Sequence, residues 1–241
     1  HTCMVAQSLI DGNGDVDRFA RSFAWRLRFW LPGLPAGVGF ATLRAVCKLW
    51  LGFNHRSSGV FSAGNGPAMR AAIFGAVFDD YVTIRSHVTA ATLMTHTDPK
   101  ALYGALAVAL AASMARRHQR VEPDAYLTEI KIMLEAKGEE LVSLLESAGA
   151  SVARGETTRQ FAAAMGLEKG VSGYVYHTVP VVIHAWLRHQ REFRDAIVEI
   201  VECGGDADTT AAILGGIIGS AVGVAGLPAE WLSGLMEWPG T

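Results

Sequence analysis

Apolar residues recur along most of this 241-residue chain at intervals of three and four positions, the period of an α-helix with one buried face. We find no convincing alternation of apolar and polar positions, the pattern of a half-exposed strand. The chain is therefore predicted to be all-α. The predicted helices cover residues 2–10, 15–30, 39–51, 68–78, 81–95, 99–117, 124–135, 139–147, a stretch ending at 186, 193–203, a stretch after 204–210, and one starting at 228.

Prolines and polar residues mark where several of these helices begin or end. Asp98 is the predicted N-cap of a helix whose first residue is Pro99, where the missing N–H of proline costs nothing. Pro180 is expected either to kink its helix or to mark its true start. Residues 149–158 are the best candidate for a linker, but helices are predicted on both sides of it. We therefore expect residues 1–241 to form a single domain.

Composition and charge narrow the classes of function. Half of the residues are apolar and the formal net charge is −2, so the chain can bury a large core. Near-neutral charge argues against nucleic acid held by backbone electrostatics. Nucleic acid is therefore not expected as a partner, except as a modified substrate. The basic residues of the second predicted helix are interpreted as its solvated face, and they are Arg18, Arg21, Arg26 and Arg28.

The cysteines and the most apolar run indicate a cytoplasmic protein without a membrane anchor. Cys3, Cys47 and Cys203 are odd in number and form no CxxC pair, so they are interpreted as reduced, buried thiols. Residues 211–227 are a little short of the ~20 residues of a membrane span and rich in glycine. We interpret this run as a buried helix that approaches its neighbours closely through glycines four positions apart, namely Gly215, Gly219 and Gly223.

An acidic turn at residues 204–210, Gly-Gly-Asp-Ala-Asp-Thr-Thr, carries the strongest candidate chemistry. Its glycines permit a sharp turn, and Asp208, Thr209 or Thr210 can cap the helix that follows. Asp206, Asp208 and Thr209 offer hard oxygen ligands of the kind that Mg²⁺ prefers. The turn is thus either a half-site for a cation or an ordinary acidic cap. It also matches the loop of aspartyl-phosphate hydrolases, which we discount because no βα alternation follows.

A stretch with little periodicity covers residues 52–66 and precedes Pro67 and a helix; its last part, residues 59–66, is a glycine-rich loop. A loop of this kind leaves backbone N–H groups available for an anion such as a pyrophosphate, and Arg70 is expected to add positive charge. An ordinary turn is the alternative. Ser62 misses the spacing of a nucleophile elbow by one residue, so it is not predicted to be a nucleophile. His96, between two predicted helices, is either a structural residue or a ligand contact.

Taken together and in order, four short segments resemble the ADP-ribosylglycohydrolase family, which includes the dinitrogenase-reductase-activating glycohydrolase and the J1 crystallins. The segments are residues 62–70 (Ser-Ala-Gly-Asn-Gly-Pro-Ala-Met-Arg), 95–96 (Thr-His), 173–175 (Gly-Tyr-Val) and 204–209 (Gly-Gly-Asp-Ala-Asp-Thr). The resemblance implies an all-α, single orthogonal multi-helix bundle with a two-Mg²⁺ centre, Mn²⁺ being the alternative ion. It implies cleavage of the bond between ADP-ribose and a modified protein or small molecule.

The resemblance also assigns roles to individual residues. Asp206 and Asp208 are implied as catalytic residues and, with Thr209, as metal ligands. The residues implied to bind the substrate are Ser62, Gly64, Asn65, Gly66, His96, Gly173 and Tyr174. Carboxylates beside the scissile bond fit this reaction, because glycoside cleavage passes through an oxocarbenium-like state. The acceptor stays open among arginine, serine, nucleic acid and small molecules.

One part of the family pattern, the Thr-Asp-Asp-Thr metal motif, is absent from the sequence. The chain begins with a helix that resembles the segment just after that motif, and we expect it to be an excerpt shortened at both ends. By itself it is then expected to bind Mg²⁺ poorly and to have little activity. A non-catalytic ADP-ribose-binding or structural protein of the same fold is the alternative function.

Overall fold

The computed structural model of the protein describes residues 1–33, 35, 37–135 and 137–235. Within these ranges the regular backbone is helical, and extended backbone pairs only in three isolated bridges. The prediction of an all-α protein is therefore confirmed. The α-helices are α1 (Thr2–Gly12), α2 (Val16–Trp30), α3 (Phe40–Trp50), α4 (Gly66–Met69), α5 (Ala72–Val77), α6 (Tyr81–Leu93), α7 (Pro99–Arg117), α8 (Pro123–Met133), α9 (Glu139–Ala153), α10 (Thr158–Ala164), α11 (Val175–Arg188), α12 (Phe193–Glu202), α13 (Ala207–Val222) and α14 (Ala229–Ser233).

Helix α7 lies at the centre of the packing and contacts α4, α5, α6, α8, α11 and α13. Its residues 104–115 are all buried, as expected for a helix that is apolar or small on every side. Alanines fill half of these positions and let neighbouring backbones approach. The approach is closest at α5, where a Cβ on Gly75 would lie 1.9 Å from the carbonyl oxygen of Ala109. Glycine is therefore required at this crossing.

Aspartates cap the starts of two long helices, and the one at Asp98 confirms the prediction. The Asp98 side chain accepts a hydrogen bond from the Lys100 N–H at 2.9 Å, and Pro99 is the first residue of α7. The Asp15 side chain caps α2 in the same way through the Arg18 N–H at 2.7 Å. These bonds satisfy N–H groups that have no partner within the helix. Local capping thus fixes the ends of α2 and α7.

The predicted helix over residues 68–78 is instead two short helices, α4 and α5. The backbone N–H groups of Arg70 and Ala71 bond to the carbonyls of Pro67 and Ala68, three positions earlier. Bonds of this type tighten the turn. The break directs the Arg70 side chain into the interior, where it is 1% exposed. The helix break and the burial of Arg70 therefore occur together at this position.

Two helices are longer than predicted. Helix α9 continues to Ala153, so the first half of the predicted linker is helical. A Cβ on Gly149 would lie 3.0 Å from the Pro123 Cβ, so glycine here serves helix packing and not a turn. Helix α11 begins at Val175, and Pro180 lies inside it. Pro180 therefore does not mark the start of the helix.

The prediction of three buried cysteines is wrong for two of them. Cys3 and Cys47 are exposed, and Cys203 is buried. Cys3 and Cys47 lie on the outward faces of α1 and α3, which the helical period alone does not distinguish from inward faces. Burial raises the pKa of the Cys203 thiol to about 11, so this thiol is protonated at neutral pH.

Helix α13 packs closely on its neighbours, but not through all of the predicted glycines. The tight approach is at Gly216, where a Cβ would lie 2.9 Å from the Ala72 Cβ of α5. A Cβ on Gly219 would have no neighbour within 4 Å. None of the described helices is both long and apolar enough to span a bilayer.

Candidate active site

Four loops from different parts of the chain are joined by backbone hydrogen bonds, and together they form the site. Residues 59–66 pair with 95–97 through Val60 and with 170–175 through Gly64. The bonds include Asn65 N–H to Gly173 O at 2.9 Å. Residues 170–175 pair in turn with the acidic turn, where the Asp206 N–H donates to Val171 O at 2.7 Å. The four predicted motifs are thereby held together in space.

The acidic turn and the glycine-rich loop meet in a side-chain hydrogen bond. Asn65 Nδ2 donates to Asp206 Oδ2 at 2.6 Å and to Thr178 Oγ1 at 2.9 Å. Thr178 is fully buried in α11, and its hydroxyl donates to the carbonyl of Ser172. The Asn65 amide is therefore fixed from the interior and holds one oxygen of the Asp206 carboxylate.

Asp206 is the N-cap residue of α13, so the predicted caps, Asp208, Thr209 or Thr210, were placed at least two positions too late. Its side chain makes no capping hydrogen bond, because the carboxylate is turned towards Asn65. The preceding residue, Gly205, has φ +76°, and a Cβ there would lie 2.1 Å from Val171 O. The tight turn thus depends on glycine. A carboxylate that does not cap its own helix argues against the ordinary acidic cap.

Asp208 and Thr209 line the same cleft as Asp206 and Asn65. In the described part of the chain, no ion pair involves either aspartate, and no side-chain hydrogen bond involves Asp208 or Thr209. Two carboxylates and a hydroxyl are suitable ligands for a hard divalent cation, so the turn fits such an ion in ligand type. Yet the described residues contain no group of three or more His, Cys, Asp or Glu side chains that could hold a metal.

His96 lies under the glycine-rich loop and is 3% exposed. Its Nδ1 is 2.8 Å from the Thr95 hydroxyl. A Cβ on Gly64 would lie 3.2 Å from His96 Nε2, and one on Gly66 would lie 3.3 Å from Cε1. The two glycines therefore let the ring lie close to the loop. Burial, and to a smaller extent the charge of Arg70, lower the pKa of His96 to about 3, so the ring is neutral at physiological pH.

Arg70 does not supply charge to an anion in the cleft, contrary to the prediction. Its guanidinium donates to Gly66 O at 3.0 Å, to Ala91 O at 2.9 Å and to Thr95 Oγ1 at 2.6 Å. A buried cation is retained only where such acceptors surround it. Arg70 is therefore a structural residue that connects the glycine-rich loop to Thr95, the neighbour of His96.

A cleft of about 550 Å³ brings these groups together, a volume typical of small-molecule sites. Nine of the ten predicted site residues line it: Ser62, Gly64, Asn65, Gly66, His96, Gly173, Asp206, Asp208 and Thr209. Phe40 and Thr42 also line it, at a helix start that the sequence did not connect with the site. The sequence analysis also missed Thr178, although a single threonine in an apolar helix indicates a buried hydroxyl that needs a hydrogen-bond partner.

Tyr174 differs from the other predicted site residues. Its backbone lies beside Gly64, but its side chain lines another cavity, next to Tyr176 and His177. The Tyr174 hydroxyl accepts a hydrogen bond from Lys100 Nζ at 2.9 Å. The successive residues of the turn point to opposite sides, so Gly173 faces the cleft and the Tyr174 ring does not line it.

A larger cavity, of about 660 Å³, is lined mainly by α2, α6 and the loop at residues 55–56. The charged side chains on its wall form two ion pairs, Arg56 with Asp17 and Arg85 with Glu135. These charges are largely compensated, whereas the carboxylates of the smaller cleft are not. The candidate chemistry therefore lies in the cleft.

The fold and the cleft define an all-helical protein in which a glycine-rich loop and an acidic helix start share one cleft. The chain belongs to the ADP-ribosylglycohydrolase family, whose model matches residues 1–241. An uncharacterized protein of Archaeoglobus fulgidus is 30% identical over 219 residues, which are 90% of this chain and 68% of that protein.

Two further comparisons agree with this assignment. The ADP-ribosyl-[dinitrogen reductase] glycohydrolase of Rhodospirillum rubrum is 38% identical over 64 residues, which are 27% of this chain and 21% of the relative. A solved structure described as an ADP-ribosylglycohydrolase-related protein complex superposes with a TM-score of 0.67 at 24% identity. The match covers 97% of this chain and 73% of that one, and it supports the fold.

Proposed function

We propose that this chain carries the ADP-ribose site of a Mg²⁺-dependent hydrolase, which cleaves the glycosidic bond between ADP-ribose and a modified protein side chain or related molecule. The observation that carries the proposal is the hydrogen bond between Asn65 and Asp206. It joins two of the motifs that carry the family resemblance inside one cleft. Family membership supports the reaction class.

The glycine-rich loop suits the ADP-ribose moiety. Gly64 and Gly66 have no side chains to block the approach of a diphosphate to the backbone, and Ser62 adds a hydroxyl at the cleft wall. The neutral His96 ring can donate or accept a hydrogen bond without carrying charge. Binding energy from the diphosphate can then be used to orient the anomeric carbon.

The acidic turn suits the ribose end of ADP-ribose, where the glycosidic bond is cleaved. Asp206, Asp208 and Thr209 would hold Mg²⁺ or Mn²⁺ on one side. When bound, such an ion acidifies water and binds ribose hydroxyls. The carboxylates themselves stabilise positive charge that develops on the ribose ring. Asn65 contributes by holding one Asp206 oxygen, which leaves the other available in the cleft.

A non-catalytic ADP-ribose-binding protein is the second candidate. One observation favours it: the described residues supply no cluster of three metal-ligating side chains. Binding of ADP-ribose without release from any acceptor would support this candidate.

The test measures release of ADP-ribose from a panel of ADP-ribosylated acceptors, with Mg²⁺ or with EDTA, together with ADP-ribose binding by calorimetry. Asp208→Ala is expected to abolish Mg²⁺-dependent release and to spare the fold, because Asp208 is exposed. Asp124→Ala is the matched control, since Asp124 is likewise an exposed second residue of a helix. Absence of both ADP-ribose binding and release would overturn the proposal.

A further inference from the structure

The charges of the chain are distributed unevenly. Residues 18–78 contain no Asp or Glu at all, although the whole chain has a net charge of −2. The basic residues of this segment are Arg18, Arg21, Arg26, Arg28, Arg44, Lys48, Arg56 and Arg70. Arg26 and Arg56 pair with acids outside the segment, Asp11 and Asp17, and Arg70 is buried. The others form no ion pair with a described acid, so this segment carries an excess of positive charge.

Exposed aromatic rings are concentrated in the same segment. Among the described residues, every Trp or Phe that is exposed lies between positions 25 and 61: Trp25, Phe29, Phe40, Trp50, Phe53 and Phe61. Phe61 and Phe40 are 79% and 72% exposed. Single exposed apolar residues are ordinary, but a group of rings marks an interaction surface. We call these six rings, together with the neighbouring cations of Arg28, Arg44 and Lys48, the aromatic–basic surface.

The rings and the cations of this surface are interleaved. The Arg28 guanidinium lies 4.8 Å from the Trp25 ring centroid, Arg44 lies 5.6 Å from that of Phe40, and Lys48 Nζ lies 5.3 Å from that of Phe53. Trp25 and Phe29 are stacked, with ring centroids 5.8 Å apart. A hydrogen bond from Trp50 Nε1 to Arg28 O joins the ends of α2 and α3. The surface therefore spans both helices.

The aromatic–basic surface is continuous with the cleft. Phe40 lines the cleft and begins the row Phe40, Arg44, Lys48 along one face of α3. Phe61 directly precedes Ser62, which lines the cleft as well. A molecule attached to ADP-ribose must leave the cleft across a neighbouring surface, and this surface adjoins it directly.

We propose that the aromatic–basic surface binds a single-stranded nucleic acid, so that the acceptor from which ADP-ribose is removed is a nucleotide of that strand. The acceptor role of the strand rests on the proposed function, whereas binding of the strand does not. Single-strand sites combine cations for the phosphates with aromatic rings on which bases stack, and the rings and cations of this surface alternate in that manner. The net charge of −2 does not oppose it, because the acids lie outside residues 18–78.

A membrane surface is the main competing partner, because basic and aromatic residues also bind anionic lipids. An interfacial helix, however, separates its apolar face from its basic face. In α3 the ring of Phe40 and the cations of Arg44 and Lys48 share one face, at intervals of four residues. This mixing favours a ligand that itself alternates bases and phosphates.

The test uses fluorescence anisotropy with a labelled single-stranded DNA of about 12 nucleotides, within the ~4–16 range of such sites. We expect salt-sensitive binding, accompanied by quenching of tryptophan fluorescence. Phe29→Ala and Phe53→Ala should each weaken binding by about fivefold or more, since a stacked base contributes at least ~1 kcal/mol. Arg44→Gln should lower the slope of log K against log salt by about 0.7, the value for one phosphate contact.

Two controls lie on other surfaces: Ile132→Ala, an exposed apolar residue of α8, and Arg159→Gln, an exposed arginine of α10. Neither should change the affinity. Absence of oligonucleotide binding, or ring variants that bind as well as the original protein, would overturn the proposal. Binding to phosphatidylserine vesicles without binding to the oligonucleotide would identify a lipid surface instead and overturn it too.

A separate binding measurement tests whether the strand on the aromatic–basic surface is also the acceptor of ADP-ribose. An oligonucleotide that carries a terminal ADP-ribose should bind at least about tenfold more tightly than the unmodified strand, because the cleft and the surface are then engaged together. Equal affinities would contradict this role. Calorimetry with free ADP-ribose separates the two proposals: binding of ADP-ribose without binding of the strand would leave the proposed function intact and remove only the nucleic-acid surface.

Discussion

At the scale of residues, the site depends on polar groups that are oriented from the interior. Arg70 donates to the Thr95 hydroxyl, which lies 2.8 Å from His96 Nδ1. On the other side, Thr178 and Asp206 fix the amide of Asn65. Neither His96 nor Asn65 can therefore reorient without leaving a buried polar group unpaired, which is costly. The polar side chains of the cleft are thus held in fixed orientations.

The buried His96 should make the protein less stable in mild acid. Its pKa is lowered to about 3 in the folded protein, against about 6.5 when unfolded. Below pH 6.5 the unfolded chain binds a proton that the folded chain does not, so the free energy of unfolding falls as pH decreases from 6.5 towards 3. Between pH 7.5 and 5 this amounts to about 2 kcal/mol.

Urea unfolding of His96→Gln at both pH values checks this expectation. The variant should lose about 2 kcal/mol less than the original protein between pH 7.5 and 5. Burial also lowers the pKa of His184 to about 4. Its effect on the free energy of unfolding is the same in both proteins and cancels from their difference. His118→Gln at an exposed position is the control. An identical loss in the original and the His96→Gln proteins would contradict the explanation.

At the scale of elements, short paired loops and not the helices themselves set the geometry of the site. The acidic turn follows α12 and is held to residues 170–171 by two backbone hydrogen bonds, Val171 N–H to Gly204 O and Asp206 N–H to Val171 O. Both glycines of the turn have positive φ, +69° and +76°. The two glycines have similar backbone conformations but differ in how close other atoms lie to the position of a Cβ. Alanine substitutions at the two positions can therefore be compared directly.

Alanine at Gly205 should be far more disruptive than alanine at Gly204. Gly204→Ala adds mainly the backbone cost of a left-handed residue, about 1–2 kcal/mol, because its Cβ would be 3.9 Å from the nearest atom. Gly205→Ala adds a Cβ 2.1 Å from Val171 O and must open the turn. Urea unfolding should show the larger loss for Gly205→Ala, and calorimetry should show lost ADP-ribose binding. Equal losses would contradict this account.

At the scale of the whole molecule, α7 supports the architecture from the centre. Loops far apart in sequence, at residues 59–66, 95–97, 170–175 and 204–206, meet at the cleft because the helices that carry them pack against one another and α7. Ligand binding at such a junction is linked to the stability of the whole fold, since each loop is ordered by the others.

ADP-ribose, and not Mg²⁺ alone, should stabilise this chain. A ligand at about 100 times its Kd adds about 2.7 kcal/mol, which for a chain of this size raises Tm by roughly 5–11 °C. Mg²⁺ alone should give little shift, because the proposed ligands are only Asp206, Asp208 and Thr209 and the described residues contain no group of three His, Cys, Asp or Glu side chains that could hold a metal. Thermal unfolding with each ligand, and with EDTA as control, checks this. A large shift with Mg²⁺ alone would contradict it.

The amino-acid sequence alone was enough to predict the all-α class, the capped start of α7, and half of the residues that line the cleft. These features follow from local information: a 3.6-residue period, an Asp before a Pro, and glycine-rich or acidic segments that occur in a fixed order. The prediction that Cys3 and Cys47 are buried was wrong, because the helical period alone does not show on which face of α1 or α3 a cysteine lies.

The role of each polar group, in contrast, follows from contacts in the folded chain. The tertiary structure turned the Asp206 carboxylate towards Asn65 instead of its own helix, buried Arg70 among three oxygen acceptors, and directed the Tyr174 ring away from the cleft. It also showed that exposed rings and unpaired cations share one surface beside that cleft. These outcomes depend on contacts between residues that are tens to more than a hundred positions apart, such as Asn65 and Asp206. No local pattern encodes such contacts.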